Sequence, residues 1–229
     1  MSSEKDRVSI IGGTGSLGVA LARRWAQAGV PVVIGSRSPE RAAETAARIR
    51  SDLGFEAIEG LENRDAARAS QVVFITVPFG AQSDNLSHLH EALDPDQVVV
   101  DCTVPLAVAA GGKPTRALGV WQGSAAQQAQ EMVPEGVAVV AAFHTVGAPV
   151  LSDLSIELSE DVLICGDKPD HMIRVAHLVQ AISGLRAVNA GPLEMARIVE
   201  QLTPLLISIN RRYKTHAGIK ITGIEAAWA

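Results

Sequence analysis

Three glycines near the N-terminus are spaced so that the backbone around them can bind phosphate. An apolar stretch at 8–11 precedes them, and an apolar pattern of helical spacing follows. In this context Gly13 is expected to make a tight turn, Gly15 to let the backbone approach an anion, and Gly18 to allow close packing of helix on strand. The N-terminus of the helix adds free N–H groups and a positive dipole end. A tight turn alone is the alternative, but the context favours a dinucleotide pyrophosphate bound by the run Gly13-Thr14-Gly15-Ser16-Leu17-Gly18.

The second apolar stretch, at 32–34, is followed by hydroxyls and arginines rather than by an acid. An Asp or Glu there would bond a ribose 2′-hydroxyl and repel a 2′-phosphate. Arg37 can instead pair with that phosphate bidentately, Ser36 can donate its hydroxyl, and Arg41 lies in the first turn of the next helix. The sequence therefore favours NADP(H) over NAD(H). The alternative is that Arg37 and Arg41 form an ordinary solvated basic patch.

Short β-branched stretches alternate with helical patterns along the rest of the chain. Strands are predicted at 8–11, 32–34, 72–77, 98–100, 137–140, 162–165 and 185–188, and helices after the first two strands, at 124–132 and at 193–213. This alternation predicts an α/β fold, a Rossmann-type doubly wound and mainly parallel sheet with a small C-terminal helical or loop extension. Residues 1–150 are expected to form the NADP-binding Rossmann domain, with 151–229 a smaller part packed on it that completes the cleft. The last helix is expected to be deeply packed and kinked at Pro204.

Composition and charge exclude several classes of protein. The net charge of -5 leaves no basic face for nucleic acid, and no apolar run is long enough to span a bilayer. The polar N-terminus carries no signal segment, so a cytoplasmic protein with small-molecule partners is expected. Cys102 and Cys165 lack the spacing of a disulfide framework or zinc site, so two buried free thiols and no metal are predicted. The apolar last helix makes a homodimer a further expectation.

Several separate blocks resemble the NADPH-dependent reductases of coenzyme F420, a deazaflavin. The resemblance runs from the first strand almost to the C-terminus. Members often carry a small hydroxyl residue at the position of Gln201 and Thr-Ile-Pro where this chain has Thr145-Val146-Gly147. The matching blocks are Ile11-Gly12-Gly13-Thr14-Gly15 with Leu17-Gly18, Ile34-Gly35-Ser36-Arg37, Phe143-His144-Thr145, Cys165-Gly166-Asp167, Gly184-Leu185-Arg186, Ala190-Gly191-Pro192-Leu193, Val199-Glu200-Gln201-Leu202-Thr203-Pro204-Leu205 and Gly218-Ile219-Lys220.

This resemblance implies hydride exchange between C4 of the nicotinamide and C5 of the deazaflavin, with NADP(H) as cofactor and coenzyme F420 as co-substrate. The protein would supply orientation and exclusion of water, so no obligatory catalytic residue is expected. By position, residues 14–17 would hold the pyrophosphate, with the 2′-phosphate among Ser36, Arg37 and Arg41. The resemblance places a further set along the cleft and the nicotinamide: Val77, Pro78, Phe79, Val104, His144, Thr145, Val146, Ala148 and Gly218.

Two polar residues are weak catalytic candidates. His144 could act on a ligand or could be a structural imidazole that fixes its loop through backbone hydrogen bonds. Thr203 could orient a ligand or could bond the carbonyl of Val199 one turn earlier. Two alternative functions also remain open, an NADPH-dependent reductase of another small acceptor and a non-catalytic NADP(H)-binding sensor.

Overall fold

A computed structural model describes residues 7–224 and 228. In this part of the chain, one eight-stranded sheet runs through the molecule in the order β3-β2-β1-β4-β5-β6-β7-β8. Neighbouring strands are parallel except β6 and β7, which pair antiparallel through Val140 with Gly166 and Ala141 with Cys165. The strands are β1 Val8–Ile11, β2 Val32–Ser36, β3 Ile58–Glu62, β4 Val72–Ile75, β5 Val98–Asp101, β6 Ala138–Ala141, β7 Glu160–Gly166 and β8 Leu185–Gly191.

Helices cover both faces of this sheet, and local capping explains where several of them begin and end. Ser38 caps α2 by accepting from the backbone N–H of Arg41, with Pro39 at the first helical position. Gly54 closes the same helix at a φ of 62°, a left-handed conformation that favours glycine. The helices are α1 Ser16–Gln27, α2 Pro39–Leu53, α3 Asn63–Arg68, α4 Gln82–Leu89, α5 Ala125–Met132, α6 Ala148–Ser152, α7 Pro169–Gln180 and α8 Ala196–Tyr213.

The core forms two apolar layers, one on each face of the sheet. Strands β1, β2, β4, β5 and β6 are buried along their whole length, as parallel strands covered on both faces must be. Three aromatic rings anchor one layer: Trp25 lies 4.6 Å from Phe74 and 6.0 Å from Phe143, measured between ring centroids. The Rossmann-type fold predicted from the alternation of strands and helices is confirmed.

One strand was missed in the sequence. The segment of β3 reads Ile-Glu-Gly-Leu-Glu, so its charges and glycine hide the apolar pattern of a strand. It lies at the edge of the sheet, where part of the strand is exposed to solvent and polar side chains are tolerated. It pairs with β2, with Val32 opposite Ile58 and Ser36 opposite Glu62. Gly60 is required because α2 passes directly over it: a Cβ there would lie 2.2 Å from the carbonyl carbon of Ala42.

The last helix is amphipathic, so the prediction of a deeply packed helix was wrong. After a 3-10 turn at Leu193–Met195, α8 buries one face while Ile198 and Leu205 are 51% and 54% exposed. Pro204 lies inside α8, as expected. The proposed boundary at residue 150 falls between β6 and β7, which belong to the same sheet. Within the described residues, no helix is both long and apolar enough to cross a membrane.

The strand order reverses direction between β1 and β4. In doubly wound sheets, ligands bind at the carboxyl ends of the strands beside such a point. Here those ends lead into the glycine loop after β1 and into 76–78 after β4. The fold therefore brings the predicted phosphate loop to the expected place for a ligand.

Candidate functional site

The glycine loop is a close-packed turn that leaves the N-terminus of α1 open. Gly12 is the left-handed residue, at a φ of 79°, so the tight turn lies at Gly12 and not at Gly13 as expected. Gly13 is constrained by close approach instead, because a Cβ there would lie 2.9 Å from Cγ2 of Ile34. At Gly18 a Cβ would lie 2.6 Å from Cα of Gly13, so the glycine allows close packing as expected, but of the helix on the loop after β1 rather than on a strand. Gly15 caps the helix without a side chain, and the first turn contains no acid, so the helix can accept an anion.

A polar cleft of about 520 Å³ opens beside this loop at the end of β2. Ser36, Arg37 and Arg41 all line it, together with Thr14 and Gly15. Ser36 is buried and its hydroxyl oxygen accepts from the N–H of Ser38 at 3.2 Å, which leaves its proton free to donate. Among the described residues, neither arginine makes an ion pair or a side-chain hydrogen bond. The structure thus brings two exposed, uncommitted guanidinium groups and one hydroxyl together at this cleft.

Two asparagines at the same cleft were not foreseen from the sequence. Asn63 begins α3 and donates to Oδ1 of Asn85 on α4 at 3.3 Å, while its own Oδ1 is buried without a partner. Both residues line the cleft. An unpartnered buried oxygen is costly and suits a ligand that donates a hydrogen bond. Asn63 follows the strand that the sequence did not reveal, which explains why it was missed.

A second, mainly apolar cleft of about 560 Å³ continues from the first and shares Gly15, Thr76, Val77 and Pro78 with it. Most residues predicted from the resemblance line this part, and so does the catalytic candidate Thr203: Ser16, Leu17, Val77, Pro78, Phe79, Val104, His144, Val146, Ala148 and Thr203. Others were not predicted and belong to the long connection after β5 or flank His144: Cys102, Thr103, Leu106, Val108, Ala109, Phe143 and Gly147. The two clefts form one groove along the carboxyl edge of the sheet.

Two predicted site residues lie outside this groove. Thr145 is buried and faces a small cavity of about 90 Å³ behind His144. Gly218 lies against Glu160 at the start of β7, where a Cβ would come within 2.2 Å of the carboxyl carbon. The structure therefore gives Gly218 a packing role on β7 and does not bring it to the groove.

His144 is positioned at the cleft by contacts of Phe143 and Thr203 rather than by hydrogen bonds of its own imidazole ring. Phe143 has a φ of 67°, a strained conformation for a bulky residue, and its buried ring packs 6.0 Å from Phe74. Thr203 on α8 donates to the backbone carbonyl of His144 at 2.7 Å, so the expected bond to the carbonyl of Val199 was wrong, while the hydroxyl still lines the cleft. Both ring nitrogens of His144 are buried without a hydrogen-bond partner. The imidazole therefore does not fix the loop through backbone hydrogen bonds, and both of its nitrogens are free to bond a group brought against them.

Two buried carboxyl groups lie beside this imidazole. Asp101, at the end of β5, accepts from Gln82 Nε2 at 3.0 Å and from Thr103 Oγ1 at 3.1 Å. Glu200, on α8, accepts from the backbone N–H groups of Ala125 and Ala126 at 3.0 and 3.2 Å. One ligand-type atom from each of Asp101, His144 and Glu200 lies within 4.8 Å of the others. In the described part of the chain, this is the one group of three His, Cys, Asp or Glu side chains whose ligand-type atoms come this close together.

Burial sets the protonation of this group. It raises the pKa of Asp101 to about 7 against hydrogen bonds from Gln82 and Thr103 that lower it. It raises the pKa of Glu200 to about 8, where nearby Asp101 adds to the increase and the N–H groups of Ala125 and Ala126 oppose it. It lowers the pKa of His144 to about 4, so the ring is neutral at physiological pH. Glu200 belongs to one of the sequence blocks that resemble the reductase family, Val199 to Leu205. No pattern in the sequence indicates that it lies close to Asp101.

Cys102 and Cys165 are free and buried, as predicted. Burial raises the pKa of both thiols, with Asp101 adding to the increase for Cys102 and Glu200 for Cys165. Neither thiol is a nucleophile at neutral pH. Among the described residues of the groove, no thiol therefore serves as a nucleophile, and the walls of the second cleft are mainly apolar.

A Rossmann-type sheet, a glycine loop open at a helix N-terminus and a basic cleft beside it are typical of dinucleotide-dependent oxidoreductases. Comparison with known proteins narrows this class. Residues 7–105 match the family model described as "NADP oxidoreductase coenzyme F420-dependent". The chain is 40% identical over 222 residues to the F420-dependent NADP reductase of Methanothermobacter thermautotrophicus, covering 95% of each chain. It is 41% identical over 224 residues to that of Methanocaldococcus jannaschii, covering 96% of this chain and 99% of the relative. The protein belongs to the F420-dependent NADP reductase family.

Solved structures show the same fold. The crystal structure of a "putative f420 dependent nadp-reductase" from Arthrobacter sp. FB24 superposes with a TM-score of 0.80 at 22% identity, covering 95% of this chain and 100% of that one. The 3-hydroxyisobutyrate dehydrogenase of Mycobacterium tuberculosis superposes with a TM-score of 0.64 at 12% identity, covering 91% of this chain but 62% of that one. The dehydrogenase therefore contains a large part that this chain lacks.

Proposed function

We propose that this protein transfers a hydride between NADP(H) and coenzyme F420. The observation that carries the proposal is the single groove with two unlike ends, one polar and basic at Arg37 and Arg41, the other apolar around Val146 and Ala148. The names of the relatives, aligned over nearly the full length, support both partners of the reaction.

The residues of the chain bind and orient, and the two ring systems supply the hydride chemistry when they are bound. The amides at the start of α1 would hold the pyrophosphate, while Ser36, Arg37 and Arg41 would hold the 2′-phosphate. At the other end, Val146, Ala148 and Leu17 form a wall of small and apolar side chains that excludes water and permits close ring contact. No side chain needs to form a covalent bond with either ligand.

The alternative of an NADPH-dependent reductase of another small acceptor is less well supported. The 3-hydroxyisobutyrate dehydrogenase that shares the fold contains a large additional part, whereas the F420-dependent relatives match this chain almost end to end. We also propose a homodimer, supported by the exposed apolar residues of α8, and the absence of nucleic-acid binding, supported by the net charge of -5. A cytoplasmic location is a proposal from the sequence alone.

A mixing experiment tests the function. The purified protein is combined with NADPH and oxidised coenzyme F420, and the visible absorbance of the deazaflavin is followed. We expect rapid bleaching with NADPH and much slower bleaching with NADH, because NADH lacks the phosphate that the arginines would bind. Oxidation of NADPH only with a different acceptor would support another reductase, and NADPH binding without turnover on any acceptor would support a sensor.

A further inference from the structure

The proposed reaction needs a proton as well as a hydride. Reduction of a deazaflavin by a reduced nicotinamide breaks one C–H bond, forms another with the same electron pair, and places one proton on a ring nitrogen. Oxidation in the reverse direction releases that proton. The phosphate loop and the apolar wall contain no group that could exchange it, so the question is which side chains at the groove can do so.

The buried group Asp101, His144 and Glu200 has the required arrangement. His144 lines the apolar cleft, and its ring nitrogens have no partner within the described structure. The two carboxyl groups lie beside it, 0% and 1% exposed, with ligand-type atoms of all three within 4.8 Å. A neutral imidazole can accept a proton at one nitrogen while it donates from the other. One rotation of the ring, or one bridging water, can close gaps of this size.

We propose that these three residues form a proton-delivery site: Asp101 and Glu200 hold a proton beneath the cleft, and His144 passes it to the bound deazaflavin. The inference rests on the proposed function. In the forward direction the O–H bond of a carboxyl group breaks, one imidazole nitrogen takes that proton, and the other nitrogen gives its proton to the deazaflavin. The carboxylate that remains is reprotonated from solvent after turnover. Asp101 and Glu200 are positioning residues that act through His144.

Titration supports this geometry. With the pKa of Asp101 at about 7 and that of Glu200 at about 8, the pair holds at least one proton at neutral pH, while His144 stays neutral. Within residues 7–224, the other titratable groups coupled to the pair are the thiols of Cys102 and Cys165, whose raised pKa values keep them uncharged. The side chain that contacts Asp101 from α4, Gln82, is an uncharged amide. The pair therefore exchanges protons in the pH range where the enzyme would work.

Infrared titration of the protein without cofactors tests the proton store independently of activity. We expect the carbonyl band of a protonated carboxyl group to persist to neutral pH and to disappear with midpoints of about 7 and about 8. Asp101→Asn and Glu200→Gln should each remove part of this band. Glu160→Gln is the matched control, because burial also raises the pKa of Glu160 but its carboxyl lies outside the group. A protein with no protonated carboxyl above about pH 5 would overturn the proposal, as would stoichiometric metal bound at these residues.

Chemical rescue tests the relay. We expect His144→Ala to reduce turnover by about 10²-fold, the low end for a positioned acid–base group, and added imidazole to restore most of it. Glu200→Gln should change the pH profile of kcat while the KM for NADPH stays the same, which a purely structural defect would not do. Failure of imidazole to rescue a folded His144→Ala protein would contradict the relay. If the parent protein shows the infrared band but does not reduce the deazaflavin, the proposed function is contradicted. The assignment of a buried protonated carboxyl group would still hold.

Discussion

The two ends of the groove differ in how their chemistry is built. The nucleotide end takes its basic and hydroxyl groups from two short segments, the loop after β1 and residues 36–41 after β2, and adds Asn63 and Asn85 from α3 and α4. Arg37 and Arg41 are exposed there and can contact a ligand directly. The ring end draws on β5, the loop after β6 and α8, and its polar groups are buried below an apolar surface. The residues expected to bind the nucleotide phosphates therefore come mostly from short sequence segments. The residues around the reacting rings come together only in the complete fold.

The largest expected effect is at the nucleotide end. Arg37→Ala with Arg41→Ala should weaken NADPH binding at least about 100-fold, because two charge-assisted contacts to a phosphate would be lost at about 1.5 to 3 kcal/mol each. NADH binding should change little. Calorimetric titration with both nucleotides measures this, with exposed Arg48→Ala on the same helix as control. Equal losses for NADPH and NADH would show that the arginines do not bind the 2′-phosphate.

At the ring end, stability should depend on pH through Asp101. Its pKa is about 7 in the folded state against 3.8 as the ordinary value, so folding favours the protonated form. The stabilisation is complete below the lower value and is lost as the pH rises through about 7. Between about pH 5 and pH 8 we expect the free energy of unfolding to fall by about 2 to 3 kcal/mol more in the parent than in Asp101→Asn. Urea unfolding across this range measures the slope, and parallel slopes would contradict the assignment.

The turn shared by both ends should tolerate no side chain at Gly18. Gly18→Ala would place a Cβ 2.6 Å from Cα of Gly13, with backbone on both sides. We expect a loss of about 1 to 3 kcal/mol in stability, together with weaker NADPH binding as the loop shifts. Gly119→Ala is the matched control, because nothing lies within 4 Å of the added methyl group. Thermal unfolding with and without NADPH separates the two effects, and a Gly18→Ala protein that behaves like the control would mean that the loop packs differently.

The smallest effect is expected at Thr203. Thr203→Val removes the hydrogen bond to the carbonyl of His144 and should cost about 1 kcal/mol, with a modest decrease in turnover as the histidine loop loosens. Thr203→Ser keeps the hydroxyl and should behave like the parent. Urea unfolding and steady-state rates of both variants give the comparison. If the valine and serine variants have the same stability and turnover, the Thr203 hydroxyl does not hold the loop that carries His144.

The same contrast explains what the sequence could predict. Seven of the eight strands are apolar runs bounded by turn residues, and Ser38-Pro39 marks the start of α2. The Rossmann-type fold can therefore be predicted from short-range patterns. Strand β3 escaped because its charged edge sequence has no such pattern. The exposure of α8 depends on what packs against it, which apolar content alone does not reveal. Likewise, Asp101 and Glu200 are almost 100 residues apart in the sequence. They come together only because the tertiary fold packs α8 near the end of β5, which no short-range pattern reveals.

Isotope transfer tests the central claim most directly. NADPH deuterated on either face of C4 is mixed with oxidised coenzyme F420 and the protein, and the reduced deazaflavin is analysed by mass spectrometry and NMR. Direct transfer within one groove predicts that the deuterium from one of the two labelled forms appears at C5 and that none is lost to water. Deuterium in the solvent, or a deazaflavin that remains oxidised while NADPH is consumed, would contradict the account.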